Sequence, residues 1–245
     1  GGAEAAAPPP ERGLDGLAVP QVVTPLWSHQ SAARDRVLAG VAEGKRGFAD
    51  ASAVGAGKTL TALATLVGVA RYLAPRQRRA GCLVLVPTPA LIKEWVMQAR
   101  QHTVGWHIIE QRPDGKLFSL SFAKSHPPLD GNSLVITTLG RVRDHEFLQH
   151  AAWDFVVIDE CLAVQNEVAL QCAAAWRQVE MSACGVMMLS ATFFRSRFSS
   201  LFYMIRMLRS PLPRTLPFLP ALLHEHIVCE VPHSDRRWTL KLEPV

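Results

Sequence analysis

No two of the five cysteines in this sequence (Cys82, Cys161, Cys172, Cys184 and Cys229) stand as a C-x-x-C pair. That removes the commonest spacing for a metal or redox motif. Several of the five sit in apolar runs, so they are expected to be buried, reduced thiols of an intracellular protein. No unbroken apolar run reaches about 18 residues, which excludes a membrane-spanning helix from the sequence alone. Residues 185 to 208 come closest, but Arg195, Arg197 and Arg206 interrupt them. The first residues, GGAEAAAPPPERG, lack an apolar signal core and read as a flexible linker. There is no internal repeat and no large excess of one charge. The net +5, from 26 Lys and Arg against 21 Asp and Glu, permits a polyanionic partner without requiring one.

What is present is a chain long enough for a sizeable core, about half apolar. Short continuous apolar runs recur: GFADA (47–51), CLVLV (82–86), WHIIE (106–110), SLVIT (133–137), FVVID (155–159) and GVMMLS (185–190). Runs that do not alternate suit strands covered on both faces. Stretches of helical period lie between them, including WSHQSAARDRVLAGVAEG with Ser28 as the expected N-cap, GKTLTALATLVGVARYL, ALIKEWVMQARQH, 166–180 and 196–209. Strand and helix in alternation predict an α/β domain with a mostly parallel sheet and helices on both faces. Residues 111 to 132 read as a polar surface excursion. The four prolines of PLPRTLPFLP (211–220) read as a boundary, with HIVCEV as one more strand beyond it.

The stretch Ser52 to Thr59, SAVGAGKT, nearly matches the phosphate-loop pattern G-x-x-x-x-G-K-[ST], with Ser52 at the first glycine position. It follows a strand and opens a helix, the context that pattern needs. Gly55 and Gly57 let the backbone of Val54, Gly55, Ala56 and Gly57 curl and turn its N–H groups toward phosphate. The helix N-terminus adds its positive end. Lys58 is expected to reach the β- and γ-phosphates of ATP, and the Thr59 hydroxyl to ligate Mg²⁺. The plain alternative is a glycine turn with a solvated lysine. A partner acid is found where strand 155–158 ends, at Asp159 and Glu160. Asp159 suits the Mg²⁺ shell, and Glu160 suits the orientation and deprotonation of an attacking water. Alone, such a pair would read as a helix cap.

The order of motifs is more specific than any one of them. LWSHQ, SAVGAGKT, VLVPTPALIKEWVMQAR, VITTLGRVRD, VVIDECLAVQN and MMLSATFFRSRFSSLFYMIRML follow one another across residues 22 to 210. This series resembles the first RecA-like lobe of superfamily-two helicases, and most of all the Swi/Snf-type, chromatin-remodelling branch. The resemblance implies a RecA-like P-loop NTPase domain at 22–210. It also implies a flexible linker at 1–21, and at 211–245 a linker and strand leading toward a second lobe. It implies that Gln30 reads the adenine edge, that Thr88, Thr137, Thr138 and Arg141 face a nucleic-acid strand, and that Ser190 and Thr192 couple nucleotide state to strand grip. The catalytic set would be Lys58, Asp159 and Glu160. Implied partners are double-stranded DNA, a second RecA-like lobe and a larger protein complex; the implied compartment is the nucleus.

The sequence departs from that pattern at Cys161 and Leu162, where the family has Ala-His, and at Phe193, where it has proline. Coupling would be altered by those changes. Without the second lobe's arginines the chain is expected to bind nucleotide weakly and hydrolyse it slowly or not at all. Two other readings stay open: a helicase-like lobe kept as a nucleotide-gated or structural interaction module, and an RNA helicase lobe. Locally, His224, His226, Cys229 and His233 are ligand types for Zn²⁺, but strand alternation would point Cys229 away from the histidines. Trp27 and Trp95 are expected in core or adenine-side packing rather than base stacking. Arg195 and Arg197 fit either a phosphate backbone or a solvated helix start, and the run RQRR (76–79) fits a solvated helix end.

Overall fold

The computed structural model describes residues 11–119, 128–144, 148, 150–161, 170–191, 205–213 and 215–232. Its centre is an eight-stranded sheet. In chain order the strands are β2 (Gly47–Asp50), β3 (Cys82–Val86), β5 (His107–Gln111), β6 (Leu117–Ser119), β7 (Ser133–Thr138), β8 (Phe155–Ile158), β9 (Val186–Leu189) and β10 (Ile227–Cys229). Their spatial order is β10-β2-β9-β8-β3-β7-β5-β6. All pairings are parallel except β5 with β6. A small antiparallel pair, β1 (Gln21–Val22) with β4 (Thr103–Val104), lies apart from it.

Helices cover both faces, as the alternation predicts. Side chains at successive strand positions point to opposite sides. Leu83, Leu85, Val156 and Ile158 pack with Leu139 and Val142 of α4 (Leu139–Asp144), Val179 of α5 (Leu170–Met181) and Leu222 of α6 (Leu219–His226). Val84, Val86, Phe155 and Val157 pack instead with Val37 of α1 (Ser28–Ala42), Leu63 and Leu66 of α2 (Lys58–Leu73), and Ile92 and Trp95 of α3 (Pro89–His102). Strands β3 and β8 are fully buried, each large side chain contributing about 1.5–3 kcal/mol through removal from water.

Several local expectations are corrected. Trp27, not Ser28, is the N-cap of α1. The Gln30 side chain folds back to accept the Trp27 N–H at 2.9 Å, which fixes the helix start one residue earlier. Residues 111 to 132 are not wholly an excursion: Leu117 is buried and β6 extends the sheet as a hairpin with β5. His224 and His226 lie on α6 rather than on a strand, because Pro220 suits a first helical turn. No group of three or more His, Cys, Asp or Glu side chains that could hold a metal occurs among the described residues, and His233 lies outside them. Arg78 is not a solvated helix end. Its side chain is wholly buried and forms a two-pronged pair with Asp15, Nε to Oδ2 at 2.7 Å and Nη2 to Oδ1 at 2.6 Å. That pair holds residues 11–20 against the domain, where a flexible linker was expected, with Val19 buried. No helix among the described residues is long and apolar enough to cross a membrane.

Candidate functional site

Because the strands are parallel, the residues that follow β2, β3, β7, β8 and β9 all emerge at one edge of the sheet. The phosphate-loop stretch follows β2. Gly55 and Gly57 have φ of +84° and +77°, left-handed values that favour glycine. A Cβ at Gly57 would also stand 2.5 Å from Gln30 Nε2. α2 opens at Lys58, so the N–H groups of its first turn have no carbonyl within the helix to bond. Lys58 Nζ donates to the carbonyls of Ser52 at 2.9 Å and Ala53 at 3.0 Å. Asp50 is buried; its Oδ1 accepts the Ser52 N–H at 2.9 Å. Burial raises its pKa above the ordinary value, against the opposing pull of Ser52, Lys58 and His29.

The acids follow β8. The Asp159 N–H donates to Leu85 O at 2.9 Å, continuing the ladder one residue past the strand. Asp159 Oδ1 accepts the Glu160 N–H at 2.9 Å and Oδ2 accepts the indole N–H of buried Trp95 at 2.8 Å. Glu160 has φ +47°, a left-handed conformation that costs a non-glycine residue about 1–3 kcal/mol and clusters at working sites. Partial desolvation raises its carboxyl pKa, the neighbouring Asp159 charge raises it further, and Lys58 pulls it back. The two strands do not adjoin: β9 lies between β2 and β8.

The hard oxygen donors at this edge, the Thr59 hydroxyl and the Asp159 carboxylate, are of the kind Mg²⁺ takes, so the donor set fits that ion. Gln30 is almost fully buried; its Nε2 donates to Gly57 O at 3.2 Å, joining α1 to the phosphate loop. Ser190 is buried and its N–H donates to Asp50 O at 3.1 Å, placing it between the loop and the acids. Thr192, Leu162, Phe193, Arg195 and Arg197 lie outside the described residues.

The residues expected to face nucleic acid divide. Thr88, the N-cap of α3, is exposed. Thr137 is wholly buried, and its hydroxyl donates to Gln111 Oε1 at 2.6 Å rather than reaching the surface. Thr138 Oγ1 accepts the Arg141 N–H at 3.2 Å, and the Arg141 guanidinium donates to Gln111 O. Gln111 thus organises this corner; a polar residue closing a short apolar run carries no sequence signal for that. The Trp95 bond to Asp159 was also missed, since 64 positions separate the two.

A parallel sheet with a glycine turn between strand and helix, and an acid pair at the same edge, defines a RecA-like nucleotide-binding domain. The DEAD/DEAH box helicase family matches residues 27–199, most of the chain, and the chain belongs to that family. It is 38% identical over 231 residues to the protein named "Putative helicase L115" of Acanthamoeba polyphaga mimivirus; the match covers 94% of this chain and 17% of that one. The chain therefore spans about a sixth of that relative's length. Its fold is shared with the structure described as "Sulfolobus solfataricus SWI2/SNF2 ATPase core in complex with dsDNA". That match has a TM-score of 0.68 at 15% identity and covers 87% of this chain and 46% of that one.

Proposed function

We propose that this domain is the ATP-binding lobe of a Swi/Snf-like, DNA-dependent ATPase that moves on double-stranded DNA together with a second lobe. The observation that carries the reading is geometric. The glycine turn that holds Lys58 on the Ser52 and Ala53 carbonyls follows β2, and Glu160, strained into a left-handed conformation, follows β8 at the same edge of the sheet. Lys58 exchanges its two loop carbonyls for the β- and γ-phosphate oxygens, with Val54–Thr59 supplying N–H groups and Gln30 the adenine edge. Thr59 and Asp159 would hold Mg²⁺, which when bound neutralises phosphate charge. Glu160 takes the proton of the attacking water, and a carboxylate of raised pKa takes it more readily. Thr88 is the best-placed residue for a phosphate contact with the nucleic acid, which would grip without reading sequence. Ser190 and Thr192 transmit nucleotide state to that grip. The fold likeness to an ATPase core solved with double-stranded DNA supports the choice of DNA over RNA.

A second reading, a nucleotide-gated interaction module without turnover, is favoured by the departures from the family pattern at Cys161, Leu162 and Phe193. ATP turnover by the full-length protein decides between them, measured alone, with duplex DNA and with single-stranded RNA, beside Lys58→Ala. DNA-stimulated turnover that disappears in the variant supports the motor. Absence of turnover, with nucleotide binding intact, supports the module. Stimulation by RNA alone would move the protein to RNA.

A further inference from the structure

Residues Ala51, Ser52 and Ala53 lie between β2 and the glycine turn, and their hydrogen bonds run in two directions. The Ala51 N–H donates to Cys229 O at 2.9 Å and the Ala53 N–H to Val231 O at 2.8 Å. The Ser52 side chain adds two more bonds to the same segment. Its hydroxyl donates to Cys229 Sγ at 3.2 Å and accepts the Val231 N–H at 2.9 Å. In the other direction, the carbonyls of Ser52 and Ala53 are the acceptors of Lys58 Nζ. One three-residue segment therefore holds both the lysine that meets phosphate and the last described strand of the sheet.

That strand, though Val228 and Cys229 pack into the core, has few other hydrogen bonds among the described residues. β10 is three residues long, lies at the sheet edge and has an irregular register between Ile227 and Cys229. Away from β2 and its extension, Arg36 Nη1 donates to Val228 O at 3.0 Å. Ser52 is almost fully buried, and glycine, the residue the phosphate pattern asks for there, has no hydroxyl to offer Val231. The departure from the pattern thus coincides with a bond the pattern residue is unable to make.

We infer that Ser52 is a positioning residue: its hydroxyl clamps the segment Ile227–Val231 to the phosphate loop, so that a triphosphate drawing Lys58 off the Ser52 and Ala53 carbonyls changes the hold on that segment. This rests on the nucleotide reading of the loop. Ser52 acts through Lys58 and the loop backbone and does not itself touch the reacting atoms.

Hydrogen–deuterium exchange of the peptide spanning 227–232 in the full-length protein tests it, without nucleotide and with saturating Mg²⁺ and a slowly hydrolysed ATP analogue. Nucleotide binding is measured separately for every variant. In the wild type, nucleotide is expected to change exchange in this peptide. In Ser52→Ala and Ser52→Gly, basal exchange rises about tenfold, the loss of one hydrogen bond, and the nucleotide-dependent difference disappears. Ser52→Thr, which keeps the hydroxyl, restores the difference. Arg36→Ala, which loosens the same strand from the other side, raises basal exchange and leaves the difference intact. A merely structural serine would raise exchange equally with and without nucleotide; a difference of wild-type size in Ser52→Ala overturns the inference. If the wild type binds no nucleotide, the coupling falls together with the nucleotide reading, and the binding measurement identifies that case. Normal binding with an unaltered difference in the variants removes the coupling alone.

Discussion

The two edges of the central sheet use polar groups in opposite ways. Where the strands begin, Arg78 is buried with its charge matched: Asp15 on two prongs, Asn132 Oδ1 at 2.7 Å and Leu17 O at 3.3 Å. Asp154, just before β8, is buried beside it and accepts the Arg79 N–H at 2.9 Å. Where the strands end, the groups are strained or only parked: Glu160 at φ +47°, Lys58 on loop carbonyls, Asp50 with an Oδ2 that has no hydrogen-bond partner among the described residues. At the amino edge a buried guanidinium has all its partners, and removing one member of such a set leaves a buried polar group uncompensated. Polar groups held in reserve at a sheet's carboxyl edge are free to exchange partners for a ligand.

This contrast yields a ranked set of substitutions. Lys58→Ala has the largest expected effect, a loss of about 10²–10³ in kcat, with thermal stability close to wild type. Stopped ATP turnover beside an unchanged melting curve checks it; a protein that simply unfolds would contradict the division of labour. Arg78→Met strikes the other edge. It removes the buried guanidinium's bonds to Asp15, Asn132 and Leu17 and costs about 1.5–3 kcal/mol in urea unfolding, while nucleotide affinity in the folded fraction stays unchanged.

Third is a pH dependence at the amino edge. Burial raises Asp154 to about 6 from 3.8, against opposing help from the Arg79 N–H and the Arg78 and Arg79 charges. A carboxyl with a raised folded pKa binds its proton more tightly in the native state. Its contribution is therefore complete below about pH 4 and is lost as pH rises through about 6. Asp154→Asn should remove that slope, changing stability relative to wild type by on the order of 2–3 kcal/mol across the window. Urea midpoints at pH 4 and pH 7 for both proteins measure it, and parallel wild-type and variant curves would refute it. Smallest is Trp95→Phe, which takes the indole N–H from Asp159 and removes part of a fully buried ring. Losing an outer hydrogen bond to a metal-binding carboxylate weakens the metal by about tenfold or somewhat more. A rise in the Mg²⁺ needed for half-maximal turnover, with a loss of about 1–2 kcal/mol in stability from the smaller core side chain, is the expected result.

The strand–glycine turn–helix form of residues 47–73 was legible because its requirements are local: a strand, two glycines at positive φ, and a helix opening on lysine lie within a dozen residues. The acids were legible for the same reason, as the polar ends of an apolar run. The layer plan followed from continuous apolar strands, and both helix-covered faces are where that pattern puts them. Unread were the contacts closed over long separations. Nothing near Arg78 announces Asp15, 63 positions away, so a basic run looked like a solvated end. Nothing near Thr137 announces Gln111, so a residue expected at a nucleic-acid surface proved to be a buried donor. The prolines of 211–220 suggested a break, whereas Pro220 begins a helix, since proline's missing N–H goes unused in a first turn.

The placement of β9 between β2 and β8 has a metrical consequence. Neighbouring strands stand about 4.8 Å apart, so one intervening strand separates the lysine-bearing turn from the acid-bearing one by about 9.6 Å at the backbone. Adjoining strands would leave only half that gap. β9 is thus a spacer as well as a core strand, a gauge whose width is set by backbone hydrogen bonds and which no side-chain replacement along Val186–Leu189 can reset.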